Sequence, residues 1–251
     1  MRVQYREKYF EIKNYLEVYI YPVYKSSARA RSERSKPTSA AQAALNDKNS
    51  KLRLARILAA NFTEDDIKFE LTYSDCHLPE SDERAAAELR NFIRRVNRRR
   101  KKNGLMPCKY ITATERGEKK GRYHHHVVMS GGLSPAELAK LWGRGYINKI
   151  QPLQFNESGL VGIAKYFPKK PLYYKHWNES KGLIHPEGRE RTGRLSNREV
   201  ERLACDMQDN RAFEKHYPGY YYAQGESRRA DDFGAVYLHL RFYKKDCKLS
   251  F

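Results

Sequence analysis

Hydrophobic and polar positions change rhythm several times along this chain, and the rhythm predicts its elements. The first 24 residues are rich in Tyr, Ile and Val, and Glu11 to Tyr24 reads as extended strand or hairpin. From Lys25 to Lys36 five basic residues and one acid sit among Ser and Ala, the pattern of a basic loop. Ser39 to Asn61 reads as a helix whose apolar contacts come from Leu45, Leu52 and Ile57.

The centre is the most regular part. Ile67, Phe69, Leu71 and Tyr73 alternate with Lys68, Glu70 and Thr72, which predicts a strand. Ser81 is a helix cap, with Asp82 and Glu83 in the first turn where the dipole favours acids. The apolar stripe Ala85, Leu89, Phe92, Ile93 and Val96 follows at helical spacing, and Gly104 stops the helix. Lys109 to Glu115 and Arg122 to Met129 read as two strands around a Gly- and Lys-rich turn. Ser134-Pro135-Ala136-Glu137 is a capping box with Pro at the first helical position, opening a short helix to Trp142. Tyr146 to Leu153 reads as a strand, and Glu157 to Phe167 as a helix ended or kinked by Pro168.

Beyond Leu172 the pattern loosens. A second capping box at Ser196-Asn197-Arg198-Glu199 predicts a helix to about Asp209, then a Tyr-rich turn over Tyr217 to Tyr222 and a last strand near Val236 to Tyr243. The order predicts an α+β fold with a central antiparallel β-sheet flanked by helices. Its expected parts are a basic N-terminal extension (1–60), a central domain with the candidate chemistry (61–175) and a C-terminal extension packed on it (176–251).

Composition adds a partner class. Among 251 residues, 49 Lys+Arg against 30 Asp+Glu give a net charge of +19, with a pI near 9.7, so the expected partner is a polyanion. Cys76, Cys108, Cys205 and Cys247 form no Cys-x-x-Cys pair, which fits reduced thiols rather than a staple or zinc cluster. The first residues read as no secretory signal, and no apolar run approaches the ~20 residues of a membrane span. A cytoplasmic protein without a membrane partner is the expectation.

The candidate chemistry begins with His124, His125 and His126. In a strand, His124 and His126 share one face and His125 takes the other. Two imidazoles at that spacing either close on one metal ion or stand as solvated surface groups. Glu115 ends the preceding strand, and the turn after it would bring it beside His124. It is a third ligand or a surface ion-pair partner; as a ligand it favours a divalent cation with open positions. Tyr166 and Lys169 would share a face if the helical turn persists past Tyr166. Arg90 to Lys102 holds eight basic residues and no acid, and Arg90, Arg94 and Arg98 recur at i+4, away from the apolar stripe. Arg90, Arg94, Arg95, Arg98, Arg99, Lys101 and Lys102 therefore read as a phosphate-tracking surface, with Lys165 beside the candidate tyrosine. Tyr173, Tyr174 and Trp177 either stack unpaired bases or belong to the core.

Phe69-Glu70-Leu71-Thr72-Tyr73, then Glu115, Tyr123-His124-His125-His126, then Lys165-Tyr166-Phe167-Pro168-Lys169 resembles the three ordered motifs of HUH endonucleases. Histidines before tyrosine is the order of rolling-circle replication initiators and the reverse of conjugative relaxases. The resemblance spans roughly residues 60 to 175 and is to initiators of single-stranded DNA phages and of rolling-circle elements in Gram-positive bacteria. It implies a ferredoxin/RRM-like HUH fold, His124, His126 and Glu115 as ligands of Mg²⁺ or Mn²⁺, Tyr166 as nucleophile and Lys169 as its companion. The implied partners are single-stranded DNA at an origin hairpin, and a host helicase and DNA polymerase in a bacterial cytoplasm. Two positions depart from the pattern: Tyr123 stands where Pro is frequent, and Gly162 stands where some phage initiators carry a second tyrosine, which implies a single-tyrosine enzyme. A single-tyrosine transposase with the same chemistry and a non-enzymatic single-strand-binding protein are the rival readings.

Overall fold

A computed structural model describes residues 4–23, 40–117, 121–155, 160–167, 177–230 and 234–245, with the backbone alone for residues 41, 165 and 166. The expected basic loop at Lys25–Lys36, and Lys169, Tyr173 and Tyr174, lie outside the described residues. The chain divides into two compact units, one comprising Asn46–Phe155 and Leu160–Ile184, the other Met1–Leu45, Asn156–Gly159 and His185–Phe251.

The first of these units holds a five-stranded antiparallel sheet. Its strands are β3 (Ile67–Thr72), β4 (Tyr110–Arg116), β5 (Tyr123–Met129), β6 (Ile147–Pro152) and β7 (Asn178–Glu179), in the order β6-β3-β5-β4-β7. Helix α2 (Asp82–Lys102) covers one face. Ser81 accepts a hydrogen bond from Arg84 N (3.2 Å), and Asn103 and Gly104, the latter at φ 70°, end the helix. Its stripe Ala85, Leu89, Phe92, Ile93 and Val96 packs on Phe69, Leu71, Tyr73, Tyr123, Val127 and Met129, together with Leu138 and Trp142 of α3 (Pro135–Trp142). Phe92 is fully buried there, so truncating it to Ala should cost about 3–5 kcal/mol. The opposite face carries Ile111, Ala113 and Val128 beside His124 and His126. On that side, α1 (Ala40–Asn61) and α4 (Val161–Tyr166) meet in a crevice that Leu54, Ala164, Phe167 and Trp177 help to line.

The other unit joins the two ends of the chain. Hairpin β1 (Gln4–Ile12) and β2 (Tyr15–Val23) turns at Lys13, whose φ of 53° the tight turn requires. With β8 (Arg189–Thr192), β9 (Tyr220–Arg229) and β10 (Val236–Lys244) it builds a second five-stranded antiparallel sheet, in the order β8-β1-β2-β10-β9. Helices α5 (Asn197–Cys205) and α6 (Asn210–His216) cover its apolar face through Val200, Leu203 and Phe213. The fold is thus α+β, with antiparallel sheets flanked by helices, and it has two such sheets where the sequence pattern predicts one.

Two local expectations change. The helix predicted from Ser196 to Asp209 is two helices, because Asp206 accepts from Gln208 N (3.0 Å) and Asp209 caps α6 by accepting from Ala212 N (3.2 Å). Aspartate side chains that bind nearby backbone in this way interrupt a helix and start the next one. The Tyr-rich stretch is a turn only at Pro218-Gly219; Tyr220 to Tyr222 already belong to β9.

Candidate active site

Strand alternation sorts the three histidines. His125 points into the α2 side, fully buried, between Tyr73 Oη (2.8 Å) and Thr114 Oγ1 (2.8 Å), with the Trp142 ring 5.9 Å away. Burial, together with the neighbouring imidazoles of His126 and His124, pushes His125 down to about 3, so it stays neutral across the physiological range. His125 is a pin that holds the strand in register.

His124 and His126 take the other face. In the strand ladders Glu115 of β4 stands opposite His124, and Glu70 of β3 opposite His126. His126 Nε2 lies 2.9 Å from Glu115 Oε1, and its Nδ1 lies 3.7 Å from Glu70 Oε1. Lys149 Nζ of β6 donates to the same Glu70 oxygen at 3.2 Å. His126 is buried, Glu115 is one-third exposed, and Lys149 opens to solvent at 65%. His124 leans instead over the turn after β4: a Cβ built on Gly117 would stand 3.0 Å from His124 Nε2. Gly117 therefore makes room for that imidazole, at the point where Gly117 N donates to Arg122 O (2.8 Å) and closes the turn.

Among the described residues, no three His, Cys, Asp or Glu side chains are gathered so as to hold a metal ion. Glu115 and His126 touch, while His124 rests against Gly117. The donor chemistry nonetheless fits a divalent cation: two imidazoles and two carboxylates share one sheet face, and the 2.9 Å between Glu115 Oε1 and His126 Nε2 suits two adjacent ligands of one ion as well as a hydrogen bond.

The end of α4 lies on this face. Phe167, the residue after it, has its ring centroid 6.4 Å from that of His126. Tyr166 is the last helical residue, and Phe167 is extended (φ −71°, ψ 145°), as expected of a residue that precedes a proline. The helical turn does not persist past Tyr166, so the i,i+3 relation expected for Tyr166 and Lys169 does not form. Lys169 and the side chains of Lys165 and Tyr166 lie outside the described residues.

The basic run on α2 divides. Arg95 donates to Leu141 O (2.7 Å) and Trp142 O (3.2 Å), capping the last turn of α3. Arg100 is buried and donates to Met106 O, Ser130 O and Gly131 O, and Arg99 sits 3.9 Å from Glu137. Arg90, Arg94, Arg98, Lys101 and Lys102 are exposed. Because α2 packs on the His125 face, this outer stripe lies across the sheet from His124 and His126. Trp177 donates to Glu179 (3.1 Å) and lines the crevice between α1 and α4.

Two site residues carry no role in the sequence reading. Glu70 was visible as a polar position in the alternation of β3, on the same face as the histidine pair. Lys149 was not, because a bulge places it there. Residues 68–171 match the family of replication-associated protein ORF2. Neither the curated proteins nor the solved structures include a match. The family match supports a Rep-like replication protein. The matched stretch contains Glu70, Glu115, His124, His126, Lys149, Tyr166 and Lys169. Among the described residues no helix is long and apolar enough to cross a membrane.

Proposed function

We propose that this protein initiates rolling-circle replication by nicking and rejoining single-stranded DNA at an origin, through a covalent bond to Tyr166. The observation that carries the reading is the open sheet face where His126 meets Glu115 and Glu70 beside the end of the tyrosine helix, all within the stretch that matches replication-associated proteins. In the proposed step Tyr166 Oη attacks the scissile phosphorus. An Oη–P bond forms, the P–O3′ bond breaks, and the departing 3′ oxygen takes a proton to become a free 3′-OH. One phosphodiester replaces another, so attack by a 3′-OH restores the strand without ATP.

A phenol with a pKa of ~10 is mostly protonated at neutral pH and needs help to attack. Lys169 supplies it by favouring the phenolate or by offsetting charge on the phosphate oxygens. Mg²⁺ or Mn²⁺, held by His124, His126 and Glu115, would polarise the phosphate and stabilise the charge that builds on its oxygens. Glu70 and Lys149 orient His126 from behind. The sequence contains no Gly-x-x-x-x-Gly-Lys-Ser/Thr stretch, so strand opening falls to a host helicase, and a host polymerase in the bacterial cytoplasm extends the 3′-OH.

The test incubates the protein with Mn²⁺ and labelled single-stranded origin DNA, then separates products on a denaturing gel. The reading expects a protein–DNA adduct that chelator and Tyr166→Phe both abolish. A second reading, a basic single-strand-binding module, is favoured by the absence of a gathered ligand triad among the described residues; it expects retention of the DNA with no adduct.

A further inference from the structure

Lys149 carries backbone strain that its strand does not need. Along β3 and β6 the ladder pairs Lys68 with Gln151 and Glu70 with Asn148, so Lys149 and Ile150 together oppose Phe69. This is a β-bulge, and its first residue stands at φ 56°, a left-handed position that glycine normally fills. Lys13, the other non-glycine residue with positive φ among those described, sits in a tight hairpin turn; Lys149 sits inside a strand. What the bulge does is visible in the side chains. Ile147 and Ile150 both stay with the core, while Asn148 and Lys149 are both exposed. A regular strand would send Lys149 towards the α2 side. The bulge turns it to the histidine face, where it reaches Glu70.

Tyr146 lies on the same edge. The ladder continues past Ile147, with Thr72 N donating to Tyr146 O (2.9 Å) and Ser74 N to Arg144 O (2.9 Å). Thr72 in turn pairs with His124, so Glu115, His124, Thr72 and Tyr146 form one row across four strands. With strands about 4.8 Å apart, Tyr146 stands roughly 10 Å from His124. Its ring is 69% exposed. A large aromatic left in water, beside an ammonium with donors to spare, is the equipment that binds single strands: a π-face for an unpaired base and a cation for the phosphate next to it.

We propose that the bulged edge strand β6 is a nucleotide subsite, in which Tyr146 stacks an unpaired base of the single strand and Lys149 contacts the adjoining phosphate, one or two nucleotides from the cut. The assignment rests on the nicking reading for its location. Occupation of the subsite draws the strand across the sheet along the row from Tyr146 to Glu115, which brings the scissile phosphate over the histidines.

The experiment separates binding from chemistry. Fluorescence anisotropy with a labelled 12-nucleotide single strand, in chelator and at several salt concentrations, compares the full chain with Tyr146→Ala, Lys149→Gly and Lys149→Arg; thermal melts verify folding. Tyr146→Ala should weaken binding about 5- to 150-fold with an unchanged salt slope. Lys149→Gly should lower the slope of log affinity against log salt by about 0.7, while Lys149→Arg keeps it. Parental affinity and slope in both Tyr146→Ala and Lys149→Gly would overturn the subsite. The adduct assay runs alongside. Variants that bind and nick like the parent sink the subsite and leave the nicking reading intact. A parent that forms no adduct while the variants still lose binding sinks the nicking reading and keeps the subsite.

Discussion

Each of the two sheets organises a cluster around a carboxylate, and the clusters differ in what they leave open. Glu7 on β1 is buried and saturated: Arg191 and Arg194 donate to it at 2.5 to 2.7 Å, and Tyr217 Oη at 2.6 Å. Burial alone would raise the Glu7 carboxyl. Hydrogen bonds from Arg194 and Tyr217, with the charges of Arg194 and Arg191, more than offset that and hold it below its ordinary 4.5. Nothing about the Glu7 cluster invites a ligand. Around His126 the cations are fewer, Glu115 and Lys149 reach solvent, and one backbone position is strained to aim a side chain. A polar cluster closed on itself holds a fold together, whereas one with an open side and stored strain is built to receive something.

Exchanging roles between these clusters is the way to break the comparison. His126→Ala should lower adduct formation by about 10²- to 10³-fold with little change in the melting temperature, measured by gel and calorimetry on one preparation. Glu7→Gln should do the reverse. It breaks a buried pair and costs about 3 kcal/mol of stability, the lower end of the usual range because both arginines keep contact with water. A His126→Ala protein that melts as early as Glu7→Gln would erase the distinction.

The pH dependence sharpens it. Because the folded Glu7 carboxyl is depressed, its contribution is complete above 4.5 and is lost as pH falls from 4.5 through the folded value. Denaturant midpoints between pH 6 and 3 should therefore fall more steeply for the parent than for Glu7→Gln. Parallel curves would mean that Glu7 is not what acid attacks first.

Smaller effects belong to the open cluster. Gly117→Ala puts a methyl 3.0 Å from His124 Nε2, so the imidazole must shift, and nicking should drop several-fold while binding in chelator stays the same. Lys149→Gly removes the left-handed strain and should raise stability by about 1 kcal/mol in urea unfolding, although it weakens DNA binding. A loss of stability there would mean that the lysine is held in place for the fold.

Much of this division was legible in the residues. Period-2 alternation through Ile67–Tyr73 and the histidine run separates His125 from its neighbours, and the capping boxes at Ser134 and Ser196 locate two helix starts. Other parts depend on contacts between distant segments. That Arg95 and Arg100 tie loops to α2 while Arg90, Arg94 and Arg98 stay outside follows from where α3 and the strand ends pass, which a run of basic letters does not encode. Lys149 was hidden for a sharper reason: a bulge shifts the side-chain phase by one residue, so strict alternation sends it to the wrong face. The pairing of the N-terminal hairpin with strands near the other end of the chain was likewise invisible to local pattern.

The central claim is that Tyr166 carries the DNA. Digesting the adduct formed with Mn²⁺ and sequencing the DNA-linked peptide by mass spectrometry tests it most directly. The account predicts a single modified peptide with the nucleotide remnant on Tyr166, lost in Tyr166→Phe. A remnant on any other residue, or an unchanged adduct in Tyr166→Phe, would contradict it.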